Sequence, residues 1–299
     1  MVLVDAHVGS GGLAPLQLLP ATVSGILYAL RVRALRGTAR SVPAWRRSCF
    51  YAGLLVIVIA LASPLGHLAD ELFLAHMAEH LLLADAGALL LVLGVTGPVL
   101  APLLRLGLLA PLRVLSHPVV AFVLWTVNLF AWHIPALHEA AVRHEAVHAL
   151  QHAGFVGCAF GVWMALFGPL PTPAWFGNAA KAGYVVAVRL VGAVLANVFL
   201  FGGHTFYDVY ARGEDYWQIA AGADQSTAGA IMMVWESVLT LGLFCWLFLK
   251  AAREGEERQA LLDLAGLHGV TLTPERAARA VGAGRGAELR RRIEQEAGG

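Results

Sequence analysis

Seven apolar stretches punctuate the chain, at about 16–34, 47–65, 72–95, 118–136, 146–168, 182–204 and 226–249. Each approaches or exceeds the roughly 20 residues a helix needs to cross a hydrocarbon core about 30 Å thick. The pattern predicts an all-α fold, a polytopic membrane bundle of about seven transmembrane helices. The run from Pro98 to Pro111 is also apolar, but it is short and interrupted by Pro102. It is expected to lie at the interface instead of forming an eighth span. Beyond Lys250 the pattern changes. Residues 251–299 carry eight Arg and eight acidic residues with modest apolar content. Residues 1–250 are therefore expected to form the membrane domain, and 251–299 a charged tail of two or three short solvated helices. Thr273-Pro274-Glu275 marks one helix start, with Thr as N-cap and Pro at the first helical position.

Composition supports the membrane reading. The 299 residues are 58% hydrophobic and 14% charged, with a mean hydropathy of +0.67. Soluble domains carry about 25% charged residues. A net charge of +1 gives no reason to expect a nucleic-acid partner. Cys49, Cys158 and Cys245 sit far apart in apolar stretches, so they read as small buried hydrophobes and not as disulfides. Residues 1–15 contain no Lys or Arg. The positive start of a cleaved leader is missing there, and the first stretch is expected to be kept as a membrane helix.

The distribution of charge predicts orientation. Arg31, Arg33, Arg36, Arg40, Arg46 and Arg47 crowd the first connection; Arg105 and Arg113 lie in the third, Lys181 in the fifth, and Lys250 opens the tail. The second, fourth and sixth connections hold only Arg143 and Arg212 among several acids. Positive charge favours the cytoplasm, so the N-terminus is expected outside and the C-terminus inside.

On that topology ten of the twelve histidines fall at or near the outer side: His7, His67, His76, His80, His133, His138, His144, His148, His152 and His204. Only His117 and His268 fall inside. His7, His67 and His138 are explained as readily by contact with headgroups and water. The histidines within helices are not. His76 and His80 are four apart and share a helix face, with Glu79 able to join them or orient a ring. His148 and His152 repeat that spacing, and His144 extends it if the helix reaches back that far. His133 ends the fourth span and His204 the sixth. Four helices could thus converge on one outer metal site, against the alternative of a structural polar cluster. Asp224 opens the seventh span on the same side. It reads as a dipole-complementing acid, a hard ligand, or an acceptor for an imidazole N–H.

The ligand set does not choose the metal. Imidazole suits zinc, copper and iron. Met77, Met232 and Met233 would favour Cu(I) as ligands, and are equally explained as helix packing. A haem needs one histidine from each of two helices. Histidine pairs four apart on one helix fit a compact metal centre better.

Asp85, Arg189 and Glu236 lie inside the predicted spans, where ionisable groups are paired or functional. Asp85 and Arg189 sit at roughly 15 and 12 Å from the inner ends of their helices by rise. That match predicts an ion pair. Glu236 is expected further out, supporting the outer site or bearing a proton. Asn128 and Asn197 are polar groups that can join helices.

The stretches FLAHMAEHLLL, LLVLG, AWHIPALHEAAVRHEAVHALQHAGF and ADQSTAGAIMMVWE together resemble the multi-spanning CtaG family of cytochrome c oxidase assembly factors. The resemblance covers about residues 16–250 and leaves out the tail. It implies that His76 and His80, the Trp132-His133-Ile134-Pro135 turn, His148 and His152, and Asp224-Gln225 are signature positions. The family pattern carries Gln where Glu79 and Ser226 stand, and differs over Met233–Glu236. The resemblance further implies copper as cargo, a haem-copper oxidase subunit as partner, copper chaperones as further candidates, and a plasma-membrane location with the site facing the extracytoplasmic side. It implies no catalytic turnover. A b-type haem redox protein, a permanent oxidase-associated subunit, a metal transporter and a membrane hydroxylase are the alternatives. No nucleophile–base pair, phosphate-binding loop or dinucleotide motif stands out in the sequence.

Overall fold

The computed structural model of the protein describes residues 15–105 and 110–297. His7 and residues 106–109 of the apolar run before Pro111 lie outside the described residues. Among the described residues every regular element is helical. Six helices are long and apolar enough to cross a membrane, and a bent pair makes up to seven. The chain is a helical membrane protein.

The first two spans are α1 (Pro15–Leu35) and α2 (Ala44–Ala62). A short α3 (Pro64–Ala69) follows, its start capped by the Ser63 hydroxyl accepting from Leu65 N–H. The third span is built from α4 (Phe73–Leu81), a π-helical turn (Leu82–Gly87) and α5 (Ala88–Gly94). A π turn inserts a residue and frees a carbonyl from the regular ladder. Here the Trp163 indole donates to the Ala84 carbonyl at 2.8 Å. Gly53 allows α2 to lie close against this span, because a Cβ there would stand 2.8 Å from Leu91 N and 2.9 Å from Gly87 O. The short α6 (Gly97–Arg105) and α7 (Ala110–Leu115) occupy the interfacial run, each too short to span.

The fourth span departs from the continuous helix expected over 118–136. Helix α8 (Pro118–Trp132) stops after 15 residues and turns by 75° into α9 (Pro135–Arg143). Pro135 lacks the N–H that would continue the ladder and holds Ile134 extended, at φ −65° and ψ 126°. Helix α10 (Glu145–Phe167) starts one residue after His144, which is its extended N-cap and does not join the helix. Helix α11 (Asn178–Phe201) is the sixth span, followed by a 3-10 turn (Asp208–Tyr210) and α12 (Ala211–Trp217).

The last span also departs from expectation. Helix α13 (Ala221–Leu267) runs 47 residues, well past the stretch at 226–249. At about 1.5 Å per residue it is some 70 Å long, more than twice the hydrocarbon core. Ala, Arg, Glu, Gln and Leu dominate the sequence after Lys250, all good helix formers. The stop comes only at Gly269, at φ +67°. There Val270 N–H donates to Ala265 O at 2.9 Å, satisfying a carbonyl of the last turn.

The chain divides into two compact units, Met1–Pro173 with Val188–Val238, and Ala174–Ala187 with Leu239–Gly299. In the first, Arg31 donates to Pro98 O, and Arg46 to Leu93 O and Val95 O. The first and third connections thus share one end. Asp224 reaches Phe73, His148 approaches Asp70, and Tyr207 donates to His133 O. The second, fourth and sixth connections therefore share the other end. That parity is what seven passes require. In the second unit, α14 (Pro274–Gly282) and α15 (Gly286–Ala297) bury Val281, Leu289 and Ile293 against Leu261 and Ala265 of α13. Thr273 Oγ1 caps α14 by accepting from Arg276 N–H at 3.3 Å.

Candidate metal centre

Three elements bring the histidines together. Helix α4 carries His76, Glu79 and His80 on one face, and α10 carries His148 and His152 on the face turned towards it. The broken fourth span adds His138 from α9. The His76 and His80 ring centres lie 4.4 Å apart, those of His148 and His152 4.2 Å, and the pairs face across at 5.2 Å (His76–His148) and 5.6 Å (His80–His152). His138 packs 4.8 Å from His76. All five rings and Glu79 are buried.

Hydrogen bonding decides what the rings can do. His76 Nδ1 lies 3.3 Å from Ala69 O. A carbonyl only accepts, so Nδ1 carries the proton and Nε2 presents a lone pair. Among the described residues that Nε2 has no hydrogen-bond partner, nor do His148 Nε2, either ring nitrogen of His80 or His152, or Glu79 Oε2. Buried polar atoms are otherwise nearly always satisfied. Glu79 Oε2 sits between the α10 rings, 3.3 Å from His152 Nε2 and 4.0 Å from His148 Nε2. One donor atom each from His76, Glu79 and His148 lies within 4.8 Å of the other two. Ligands on one ion at bonds of about 2 Å cannot be more than about 4.2 Å apart. Three donors spread round one ion stand only about 3.4–3.6 Å apart at such bond lengths, so the trio closes by up to about 1 Å to bind one, a distance side-chain rotation can cover. Asp70 Oδ1 lies 3.8 Å from His148 Nδ1, beyond hydrogen-bond distance.

Other residues singled out in the sequence fall elsewhere. His144 and His67 are exposed. His204 is exposed, with Nδ1 bonded to Gly202 O at 2.9 Å. Asp224 is buried, and both its oxygens are taken: Oδ2 accepts from Phe73 N–H at 2.7 Å and Oδ1 from Leu74 N–H at 2.9 Å. It caps the start of α4 across the fold, three residues before His76. Gln225 accepts from Phe206 N–H and donates to His204 O, tying down the sixth connection. His133 stands beside the cluster, 6.0 Å from His138 ring to ring, with Nε2 facing Met77 Sδ at 3.4 Å.

Two contributors carried no clear sequence signal. His138 reads as interfacial until the break at Pro135 turns α9 inward. Tyr210, fully enclosed, places its hydroxyl 2.8 Å from His138 Nε2. Burial, with Tyr207 and Asp70 nearby, pushes that hydroxyl well above its ordinary value, so it keeps its proton. Burial likewise raises Tyr207, which donates to His133 O at 2.9 Å and holds the bend.

Deeper in the same unit Arg189 meets Asp85 through two hydrogen bonds, at 2.6 and 3.0 Å. The Trp235 indole donates to Asp85 Oδ2 at 3.0 Å, and the guanidinium lies over Trp163. Glu236 packs against Gly192. A cavity of about 30 Å³ joins this region to His80, His133, Met77 and Met232.

A family model described as cytochrome c oxidase caa3 assembly factor (Caa3_CtaG) matches residues 26–254. Neither a curated protein nor a solved structure matches the chain.

Proposed function

The chain belongs to the family of cytochrome c oxidase caa3 assembly factors, and from that premise we propose that it carries copper for a haem-copper oxidase on His76, Glu79 and His148, with His80 and His152 as neighbouring ligands. The observation that carries this reading is the set of buried lone pairs. His76 donates one ring N–H to a backbone carbonyl and leaves the other nitrogen without a partner among the described residues. That is the arrangement in which a metal-binding imidazole is held. Copper here is cargo, and the chain needs no catalytic turnover. Several adjacent donors allow an ion to be passed from one ligand set to the next.

The Arg-rich connections share one end and the histidine cluster lies towards the other. Positive charge favours the cytoplasm. We therefore read the cluster as facing the extracytoplasmic side of the plasma membrane, where an oxidase subunit or a copper chaperone would meet it. The opposed rings of the two helices, 5.2 and 5.6 Å apart centre to centre, leave no slot for a macrocycle between them, which speaks against the haem alternative.

Metal analysis with an optical spectrum on the detergent-purified chain tests the reading, beside a His76→Ala/His148→Ala variant. Copper near one ion per chain or above, reduced by one in the variant and without a haem absorption band, is the expected result. A haem spectrum, or copper binding indifferent to both histidines, would overturn it.

A further inference from the structure

We infer that His133 and Met77 form a second, sulfur-containing site for a monovalent copper ion, separate from the His76–Glu79–His148 group; it rests on the copper reading for the identity of the ion, not for the site. The argument starts from a proton. His133 Nδ1 lies 2.7 Å from Leu129 O. The carbonyl accepts, so Nδ1 holds the hydrogen, and in the neutral ring Nε2 has a lone pair. That lone pair points at Met77 Sδ, 3.4 Å away. A thioether has no proton to offer. Two acceptors therefore face each other inside the protein, with both residues buried. A second proton on the ring would have only the weak thioether acceptor at Nε2. A soft cation resolves the contact instead.

The geometry suits one. With bonds of about 2.0 Å to nitrogen and 2.3 Å to sulfur, as for a d10 ion, donors 3.4 Å apart subtend roughly 100° at the metal. Little movement is needed. His80, neither of whose ring nitrogens has a hydrogen-bond partner among the described residues, lines the same cavity of about 30 Å³, as does Met232. Either can supply a third donor. Imidazole with thioether selects Cu(I) over harder divalent ions, whereas the carboxylate of the first site accepts Zn(II) as well. Glu236 lines the cavity too and can balance a single positive charge. His80 links the two groups, belonging to the α4 face and to the cavity, so an ion can pass between them without entering lipid.

The test is anaerobic loading of the full detergent-purified chain with Cu(I), and separately with Zn(II), read by metal-to-protein ratio and copper X-ray absorption. The expected result is two Cu(I) per chain, with a sulfur scatterer, against one Zn(II). Met77→Leu, a volume-conserving change, should lower copper from two to one and abolish the sulfur signal. It should leave zinc unchanged. His76→Ala/His148→Ala should lose the zinc and one copper but keep the sulfur signal. Copper that never shows sulfur in the unaltered chain overturns this site, whether or not Met77→Leu folds. Sulfur-ligated copper in a chain whose loading ignores His76 and His148 would sustain this site and overturn the first.

Discussion

Two sets of buried polar groups lie in the first unit of this protein, and they differ in one respect. Around Asp85 the carboxylate is fully engaged, its two oxygens accepting two bonds from Arg189 and one from Trp235, while Glu236 Oε2 nearby stands without a partner among the described residues. Around His76, six ring nitrogens and one carboxylate oxygen, on His76, His80, His148, His152 and Glu79, have no such partner among the described residues. Burial is alike in both. Satisfaction is not. A satisfied network fixes helices against one another, whereas a set of free lone pairs costs stability unless something fills it. The first group is built to hold and the second to bind.

The contrast is broken most directly at Arg189. Arg189→Met leaves Asp85 in the span with no cation, and losing one partner of a buried pair costs about 3–5 kcal/mol. A large fall in the thermal midpoint of the purified protein is expected. Asp85→Asn in the same chain should restore part of it, because the stranded charge goes. An unaltered midpoint for the single variant would show that the pair does not hold α11 to the third span.

Gly192 tests the border between the two groups. A Cβ at this position would run into both carboxylate oxygens of Glu236. Gly192→Ala should cost about 1–3 kcal/mol by overpacking, and Glu236→Ala in the same chain should relieve the clash. If the double variant is no better than the single, the glycine serves some other contact.

Asp224 sharpens the comparison from the binding side, since it is a satisfied group that serves the unsatisfied one. Asp224→Ala removes the cap from Phe73 and Leu74, at about 0.5–2 kcal/mol, and frees the first turn of the helix that bears His76. Copper affinity should fall although no ligand has been touched. Asp224→Asn, which keeps an oxygen acceptor, should retain most of it. Equal loss of copper in both variants would instead make Asp224 a ligand.

Much of this was legible in the sequence, and the misses have physical causes. The apolar stretches locate the spans because lipid demands length and apolarity. Helix rise brought Asp85 and Arg189 to matching depth, and the two do meet. The four-residue spacings of His76/His80 and His148/His152 put each pair on one face. What periodicity could not show was where helices break. Pro135 stops α8 at Trp132 and swings His138 inward. His144 and His204 fit the pattern by sequence, yet both are exposed, one just before the start of α10 and the other beyond Phe201. The run of α13 past Lys250 was hidden because hydropathy marks the edge of the membrane, not the end of a helix. The π turn at Leu82–Gly87 leaves no mark in composition.

The smallest effect expected is also the one with the opposite sign. His152 is buried, and neither ring nitrogen has a hydrogen-bond partner among the described residues. Its Nε2 stands 3.3 Å from Glu79 Oε2. A leucine of similar bulk would meet the same neighbours without two polar atoms to desolvate. Replacing an unsatisfied polar group by an apolar one of matching shape is close to neutral or stabilising. His152→Leu should therefore leave the metal-free midpoint unchanged or raise it by the equivalent of up to about 1 kcal/mol, while copper affinity falls. Under copper the order should reverse, because a bound ion stabilises the folded state only as far as it binds. Thermal unfolding with and without Cu(I), on both proteins, reads the two effects together. A variant less stable than the parent without metal, and equally shifted by it, would mean that the ring is held by contacts like those around Asp85, and the distinction between holding and binding would fail at its centre.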